Sequence, residues 1–334
     1  MYNESSNMLL QGGSAMLELI REENYEKTMR EVVEPQLAMM REDVYIDVKG
    51  GKYHAEVYEN EHAERAMVIV HGYTESAEKF REMVWYLLEE GFSVFAVDHR
   101  GHAQSLRQVE DTSITHVDKF DDYVDDLDAF MEQVVLPRTK GLPLCILGHS
   151  MGGAVTALEL MRHPERFEKA VLNAPMIAAV SEPFPRKGAA LMGALMCLFG
   201  KGKERAFVGK PFDPAREKFD TSHMTSPARF AYYQKKRCAR KELQNCSPSY
   251  SWVREGMGVT DRLLKTKNTD KIKTPLLLCQ AAQDSIVCLP QQNQFVEQVR
   301  GALLVSFDAK HEIYSSEDRV LQEYYETVIG FLKG

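Results

Sequence analysis

The chain has 334 residues, with 41 lysines and arginines against 49 aspartates and glutamates, which gives a formal net charge of −8. This acidic excess argues against nucleic acid as a partner, because nucleic-acid binding depends on a basic face that neutralises phosphates. With 44% apolar and 27% charged residues, the composition is that of a globular protein and excludes a disordered or fibrous chain.

Six cysteines occur without a C-x-x-C pair and without the cysteine–histidine spacing of a zinc site, so we expect free thiols, no metal and no organic cofactor. The chain does not open with a basic region and an uninterrupted apolar run, and it has no stretch of 18 apolar residues. We therefore expect no signal peptide and no membrane span, and a cytoplasmic location, peripheral to a membrane at most.

The first elements are a helix and a hairpin. Apolar positions recur at helical spacing over residues 16–33, which predicts an N-terminal helix that ends before Pro35. Residues 43–48 and 53–59 alternate apolar and polar side chains on either side of two glycines, which predicts a β-hairpin.

Six short apolar runs then follow, most of them separated by helical patterns: 66–70, 92–97, 143–147, 169–173, 275–279 and 302–307. Unbroken apolar runs are typical of strands that are buried on both faces of a parallel sheet. Between 119 and 136, apolar residues recur at helical spacing and five aspartates lie mainly on the other side. Carboxylates on a regular helix diverge, so we interpret these aspartates as a solvated face and not as a calcium site.

About a hundred residues separate the runs 169–173 and 275–279, whereas a simple crossover needs far fewer. This stretch predicts a helical insertion over the sheet. We therefore divide the chain into an N-terminal helical extension (1–40), an α/β core (41–174 and 274–334) and a helical cap (175–273).

Two segments of the predicted cap leave alternatives open. The apolar segment 188–199 is too short to span a bilayer, and it either offers a surface to acyl chains or a membrane, or packs the cap onto the sheet. Segment 229–241 interleaves aromatic residues with six basic ones. It either receives a phosphate-bearing head group or forms a solvated cap helix, and we favour the solvated helix.

The run 143–147 leads into Gly-His-Ser-Met-Gly-Gly at 148–153, which is a G-x-S-x-G pattern between a strand and a helix. In such a turn Ser150 must adopt a strained backbone, and small residues at 148 and 152 allow strand and helix to approach. We identify Ser150 as a candidate nucleophile.

A serine hydroxyl needs a base, which an acid orients, and after a G-x-S-x-G turn the chain order is Ser, acid, His. Of the three histidines that follow Ser150, only His311 comes after the last predicted strand. Asp284 follows the penultimate predicted strand, and we prefer it to Asp308 because Asp308 follows the strand of the histidine itself.

Acyl transfer also requires hydrogen-bond donors for the developing oxyanion. The first candidate is the backbone N–H of Met151, directly after the nucleophile. The second is the N–H of Tyr73, because Gly72 allows a sharp turn after the run 66–70. We interpret His71 and His149 as scaffolding residues and not as bases.

These segments resemble the α/β-hydrolase superfamily and, within it, the monoacylglycerol lipase and bacterial lysophospholipase group. The resemblance covers most of residues 40–334 outside the middle of the cap, and rests on VIVHGYTES, VFAVDHRGHAQS, FDDYVDDLDAFM, ILGHSMGGAV, VLNAPM, AAQDSIV and AKHEIY. It implies an α/β-hydrolase fold: a mostly parallel eight-stranded sheet with an antiparallel second strand, flanking helices and an inserted helical cap. It also implies a Ser150–Asp284–His311 triad with oxyanion donors at Tyr73 and Met151.

The chain departs from the family pattern at two places. Ala103 stands where the family often has glycine. The loop HGYTES differs from the glycine and Glu-His-Ser that usually follow HisGly in monoacylglycerol lipases, and it is more similar to the lysophospholipase branch.

The leading hypothesis is a serine hydrolase that cleaves carboxylic esters of single-chain lipids, such as a lysophospholipid or monoacylglycerol, through an acyl-enzyme. One alternative is a short-chain esterase or an aminopeptidase-like amidase on the same fold, and another is a ligand-binding protein without catalysis. The expected partner is a small lipid ester, together with transient contact of the cap with a membrane surface.

Overall fold

A computed structural model describes residues 17–207 and 209–334 of the protein. The expected absence of a signal peptide concerns residues that lie mostly outside this range, as does residue 16, where the predicted N-terminal helix begins. Eight strands form one sheet: β1 (Arg41–Val48), β2 (Gly51–Tyr58), β3 (Arg65–Val70), β4 (Phe92–Asp98), β5 (Leu144–His149), β6 (Lys169–Asn173), β7 (Leu276–Ala281) and β8 (Leu303–Phe307).

The strand order in this sheet is β1-β2-β4-β3-β5-β6-β7-β8, and β2 alone runs antiparallel to its neighbours. Each of the six apolar runs forms a strand, and the predicted hairpin is β1–β2. The structure therefore confirms the mostly parallel eight-stranded sheet that the resemblance implies. Strands β3, β4 and β5 are buried along almost their whole length, as continuous apolar strands should be.

Helices cover both faces of the sheet and form the insertion between β6 and β7. They are α1 (the consecutive segments Tyr25–Thr28, Met29–Val33 and Glu34–Met40), α2 (Arg81–Glu89), α3 (Asp121–Phe130, continued by Met131–Val135 and Leu136–Arg138), α4 (Met151–Arg162), α5 (Arg186–Leu198), α6 (Pro227–Ala239), α7 (Tyr250–Gly258), α8 (Thr260–Leu263), α9 (Thr266–Thr269), α10 (Leu289–Gln298) and α11 (Asp318–Lys333). Single 3₁₀ turns occupy Glu22–Asn24, Ala77–Phe80, Pro214–Arg216, Phe219–Thr221, Lys241–Leu243 and Ile313–Ser315.

The insertion between β6 and β7 holds the helices α5 to α9 and one two-residue strand, Ser247–Pro248, which pairs with Ile114–Thr115 outside the main sheet. We therefore propose that the chain consists of an N-terminal extension, an α/β core and a helical cap. Among the described residues, no helix is both long and apolar enough to cross a membrane. All six cysteines are free, and Cys145 and Cys279 are buried within β5 and β7.

The predicted end of the N-terminal helix is wrong. The helical region begins at Glu22 and continues through Pro35 to Met40. Proline normally ends a helix because it lacks an N–H and clashes with the carbonyl group four residues earlier. Here a wider π-helical turn precedes it, in which the N–H of Glu34 bonds to the carbonyl of Met29. The same arrangement, Met131–Val135, precedes Pro137 at the end of α3.

The sequence predicts that the aspartates of α3 face solvent, and this prediction is wrong for two of them. Asp122 and Asp126 are buried, and Arg100, just after β4, donates to both oxygens of Asp126 at 2.7 and 2.6 Å. The guanidinium comes from a distant part of the chain, so the helical pattern alone gave no sign of it.

One group of possible metal ligands joins the middle of α3 to the end of α4. Asp128, Glu159 and His163 approach one another closely enough to share an ion. The guanidinium of Arg166 donates to Asp128 at 2.7 Å and also bonds to Glu159. Because this cation already neutralises the carboxylates, the group forms a salt-bridge network around Arg166.

The basic segment 229–241 forms most of α6. It is neither a free site for a phosphate-bearing head group nor a fully solvated helix, the two interpretations that the sequence left open. Five of its six cations contact carboxylates, in the pairs Arg229–Glu82, Lys235–Glu26, Lys236–Glu34, Arg237–Glu217 and Arg240–Glu78. Most of these partners belong to α1, to α2 or to the turn before α2. The helix is therefore bound to the extension and the core, and it does not offer a free cationic face to a phosphate.

Candidate active site

Ser150 lies in the turn between β5 and α4 with φ 53° and ψ −118°, a left-handed conformation that is strained for a residue with a side chain. The surrounding glycines make this turn possible. A Cβ atom on Gly152 would overlap the carbonyl oxygens of Val70 and His71, and one on Gly148 would lie 2.6 Å from the carbonyl oxygen of Gly152. The small residues predicted at 148 and 152 are thus sterically required.

The structure brings the three predicted side chains into one hydrogen-bonded line. The Ser150 hydroxyl lies 2.8 Å from His311 Nε2, and His311 Nδ1 lies 2.7 Å from Asp284 Oδ2. The other oxygen of Asp284 accepts hydrogen bonds from the backbone N–H groups of Ile286 and Val287 at 2.8 and 3.1 Å. These two bonds fix the carboxylate, which in turn orients the imidazole.

The environment of Asp284 keeps it ionised. Burial alone would raise the pKa of its carboxyl group, but the hydrogen bond and charge of His311, together with the two backbone N–H groups, lower it. The competing candidate Asp308 is largely exposed and accepts a hydrogen bond from Gln283. It lies outside the line of three side chains.

The two predicted oxyanion donors lie at the start of α4 and in the loop after β3. Met151 is the first residue of α4, so its N–H has no partner within the helix. On either side of Tyr73, the N–H of Gly72 bonds to Glu75 and the N–H of Thr74 bonds to His102. In the part of the chain that the structure describes, the N–H of Tyr73 itself donates to no other group.

His71 and His149 occupy the scaffolding positions expected from the sequence. His71 Nδ1 lies 2.7 Å from the carbonyl oxygen of Gly72, and its Nε2 accepts the N–H of His99. His149 is buried and contacts Asn173. Burial lowers the pKa of His149 to about 4, so this imidazole is neutral at pH 7.

Sequence reasoning missed a buried network of charges beside Ser150 and His311. The Lys79 ammonium lies 2.9 Å from Glu75 and 2.8 Å from Glu312, and Glu75 also accepts the hydroxyl of Tyr314. The spacing of Glu75 and Lys79, four residues apart, is a local signal for an ion pair. Glu312 and Tyr314 come from the other end of the chain, and no local signal connects them with the first pair.

A cavity of about 450 Å³ opens over Ser150 and His311. Its wall combines the loop after β3 with the cap, including Phe230, Tyr233 and Arg237 of α6. Many of its lining residues are polar or charged. The carboxylates that line it, Glu75, Glu217 and Glu312, each contact a cation.

Comparison with known proteins identifies similar chains. The family described as serine aminopeptidase, S33, matches residues 61–318. Lysophospholipase L2 of Escherichia coli K12 is 31% identical over 297 residues, which cover 81% of each chain.

Solved structures show the same fold at lower identity. A soluble variant of monoglyceride lipase from Saccharomyces cerevisiae, in complex with a substrate analog, superimposes with a TM-score of 0.70 at 19% identity and covers 88% of this chain and 94% of its own. A thermostable carboxyl esterase from Bacillus coagulans, in complex with glycerol, gives a TM-score of 0.71 at 18% identity and covers 89% and 99%.

Proposed function

Because the chain belongs to the S33 serine aminopeptidase family and is an α/β-hydrolase, we propose that it cleaves carboxylic esters of single-chain lipids, in particular lysophospholipids and monoacylglycerols. The relatives named lysophospholipase and monoglyceride lipase support this class of substrate. The observation that carries the proposal is the hydrogen-bonded line from Asp284 through His311 to Ser150.

In the proposed reaction, Ser150 Oγ attacks the ester carbonyl carbon while His311 Nε2 takes its proton. The N–H groups of Tyr73 and Met151 stabilise the negative charge on the carbonyl oxygen. His311 then donates the proton to the leaving alcohol and afterwards activates a water molecule that cleaves the acyl-enzyme. Asp284 holds the imidazole in the tautomer that accepts the proton on Nε2.

The amidase alternative receives less support from the cavity. An aminopeptidase must bind the α-ammonium group of its substrate, and a carboxylate is the natural partner for that cation. The carboxylates of Glu75 and Glu312 share Lys79, and Glu217 binds Arg237. A second cation would compete with these existing pairs, whereas an uncharged ester group would not.

A panel of lipid esters tests the proposed function. Lysophosphatidylcholine, lysophosphatidylethanolamine and monoacylglycerols of graded chain length should be turned over by the protein and not by Ser150→Ala. Turnover confined to p-nitrophenyl acetate and butyrate would establish the short-chain esterase, and turnover confined to aminoacyl p-nitroanilides the amidase. Equal turnover by Ser150→Ala would contradict the mechanism, and no turnover of any substrate would favour a ligand-binding protein.

We also propose that the cap touches a membrane surface through α5. One side of this helix packs closely on α7, because Gly193 lies against the backbone of Tyr250 and Arg254. The other side is exposed and apolar, and it carries Leu191, Met192, Leu195, Leu198 and Phe199. The exposed lysines 187, 201 and 203 flank this face, which fits a surface of anionic lipid.

Flotation with vesicles of phosphatidylcholine and phosphatidylglycerol tests this contact. The double variant Leu198→Ser, Phe199→Ser should bind the vesicles several-fold more weakly and hydrolyse p-nitrophenyl butyrate at the normal rate. The matched control replaces Leu303 and Leu304 by serine, because these leucines are also partly exposed but lie on β8. Equal weakening in both double variants, or in neither, would contradict the proposal.

A further inference from the structure

One buried carboxylate lies between the loop that carries Tyr73 and the loop that carries His311. Glu75 is only 6% exposed. Its Oε2 accepts the N–H of Gly72 at 2.7 Å. Its Oε1 accepts the Tyr314 hydroxyl at 2.5 Å and the Lys79 ammonium at 2.9 Å. The side chain of Glu75 thus bonds to the residue directly before Tyr73 and to Tyr314, three residues after His311.

On the oxyanion side, the bond from Glu75 fixes the turn directly before Tyr73. The backbone on the other side of Tyr73 is held as well, because the N–H of Thr74 donates to His102 Nε2 at 3.3 Å and Thr74 has a φ of 63°. With both neighbouring N–H groups already bonded, the N–H of Tyr73 is held in one orientation while remaining available to an oxyanion.

On the base side, two links reach the loop after β8. Tyr314 donates to Glu75 and stacks on Phe80 with ring centroids 4.6 Å apart. Lys79 bridges Glu75 and Glu312, and Glu312 is the residue directly after His311. These contacts restrict the position of the His311 loop relative to the loop after β3.

The charges in this cluster keep Glu75 in its ionised form. Burial alone would raise the pKa of Glu75, but the charge of Lys79 and the hydrogen bond from Tyr314 hold it well below its usual range. The ionised carboxylate therefore has both oxygens available to accept hydrogen bonds at neutral pH.

We propose that Glu75 is a positioning residue that fixes the Tyr73 oxyanion donor and the His311 base relative to each other. The inference rests on the proposed function, because it assigns Glu75 a part in forming the same acyl-enzyme. It acts through Gly72, Tyr314 and Lys79 and does not touch the substrate carbonyl. Its effect should appear in the transition state, where the oxyanion has formed, and not in substrate binding.

The variant Glu75→Gln tests this role. Glutamine has one acceptor oxygen, so it cannot accept from Gly72 and from Tyr314 and Lys79 together. With p-nitrophenyl butyrate as substrate, we expect kcat to fall by about tenfold to a hundredfold, as a small misplacement of reacting groups produces. KM should stay within about threefold of its normal value, because interactions made only in the transition state change kcat.

Two further variants separate positioning from a loss of stability. Tyr314→Phe removes the hydroxyl and keeps the stack on Phe80, so we expect a smaller decrease in kcat, again with little change in KM. Glu56→Gln is the matched control. Glu56 lies on β2, away from Ser150; it is also buried, and it accepts hydrogen bonds from Arg81 of α2 and from Tyr58. It should keep a normal kcat.

Normal kcat in both Glu75→Gln and Tyr314→Phe would overturn the inference, as would a raised KM at normal kcat. If Glu75→Gln fails to fold, normal kcat in Tyr314→Phe alone would be sufficient to overturn it. Ser150→Ala distinguishes this failure from that of the proposed function. If Ser150→Ala is inactive while both other variants are normal, the inference about Glu75 is wrong and the proposed nucleophile stands.

Discussion

The backbone at Ser150 shows how single residues determine this site. Its left-handed conformation brings the hydroxyl within 2.8 Å of His311 Nε2. The conformation persists because Gly152 allows α4 to start directly against the carbonyl oxygens of Val70 and His71. Strain at one residue is thus stabilised by the absence of a side chain at another.

Replacing Gly152 by alanine should therefore destabilise the fold. The added methyl group would overlap backbone atoms that cannot rotate away, and overpacking of this kind costs about 3 kcal/mol. Urea unfolding measures the change. Gly258→Ala is the control, because a Cβ atom there meets nothing within 4 Å. An equal loss of stability in the two variants would show that the close approach at Gly152 is unimportant.

Separate substitutions of Asp284 and Asp308 test which carboxylate orients His311. Asp284→Asn should decrease kcat on the order of ten-thousandfold, because asparagine favours the tautomer of His311 that cannot accept the serine proton. Asp308→Asn should remain close to normal, since that carboxylate is exposed and bonds to Gln283. Steady-state kinetics on p-nitrophenyl butyrate decides, and a large decrease in Asp308→Asn alone would reverse the assignment.

At the scale of elements, local patterns predict most of the sheet and little of what joins the elements. All eight strands of the sheet coincide with apolar runs or with alternation. The central strands are apolar because both of their faces are buried, whereas β8 lies at the edge of the sheet and is largely exposed, so burial does not explain its apolar run. The path of α1 through Pro35 could not be predicted from the proline rule, because a π-helical turn accommodates the ring.

The burial and pairing of charged residues could not be predicted from local sequence patterns, for a different reason. Asp126 can be buried because Arg100, from the loop after β4, pairs with it. The cations of α6 are bound because carboxylates come from α1 and α2. Such pairs depend on the tertiary arrangement. In the same way, the triad candidates follow from chain order and strand ends, whereas the Glu75 network requires residues from both ends of the chain.

The attachment of α6 to the core and to the segment before α1 should depend on one ion cluster. Arg229 is almost fully buried, and it donates to Glu82, to Asp318 and to the carbonyl oxygen of Ile20. Arg229→Met leaves the buried Glu82 without its main cation and should cost about 3 kcal/mol in urea unfolding.

Lys235→Met provides the matched control for this prediction. Lys235 lies on the same helix, but its pair with Glu26 is exposed to solvent. Exposed pairs contribute little to stability, so we expect no measurable change in the unfolding midpoint. Equal effects of the two substitutions would show that burial of the cluster does not matter.

At the scale of the whole molecule, the sheet assembles the site at one edge. Ser150, Asp284 and His311 follow the carboxyl ends of β5, β7 and β8, and the loop with Tyr73 follows β3. These strands are parallel, so residues far apart in sequence meet above the same edge. The inserted helix α6 then lines the cavity above the site with Phe230, Tyr233 and Arg237.

The buried side chain of His149 makes the free energy of unfolding depend on pH. Burial lowers the pKa of His149 to about 4, so between pH 6.5 and 4 the unfolded chain binds a proton there that the folded protein does not. Stability from this group is complete above pH 6.5 and is lost as the pH falls, by about 2 kcal/mol at pH 5.

Urea unfolding at pH 7 and pH 5 tests this linkage. The loss of stability between the two pH values should be about 2 kcal/mol smaller in His149→Asn than in the unmodified protein. Comparing the two differences cancels the other titrating groups, among them His54, whose pKa its neighbouring carboxylates raise although burial opposes them. An identical pH dependence in both proteins would contradict the buried, neutral state of His149.

The central claim is that Ser150 is a nucleophile activated by His311. The most direct measurement is mass spectrometry of the protein after treatment with a fluorophosphonate, followed by peptide mapping. We predict one covalent adduct on Ser150, formed quickly by the unmodified protein, very slowly by His311→Ala and not at all by Ser150→Ala. An adduct on a different residue, or equally fast labelling of folded His311→Ala, would contradict the account.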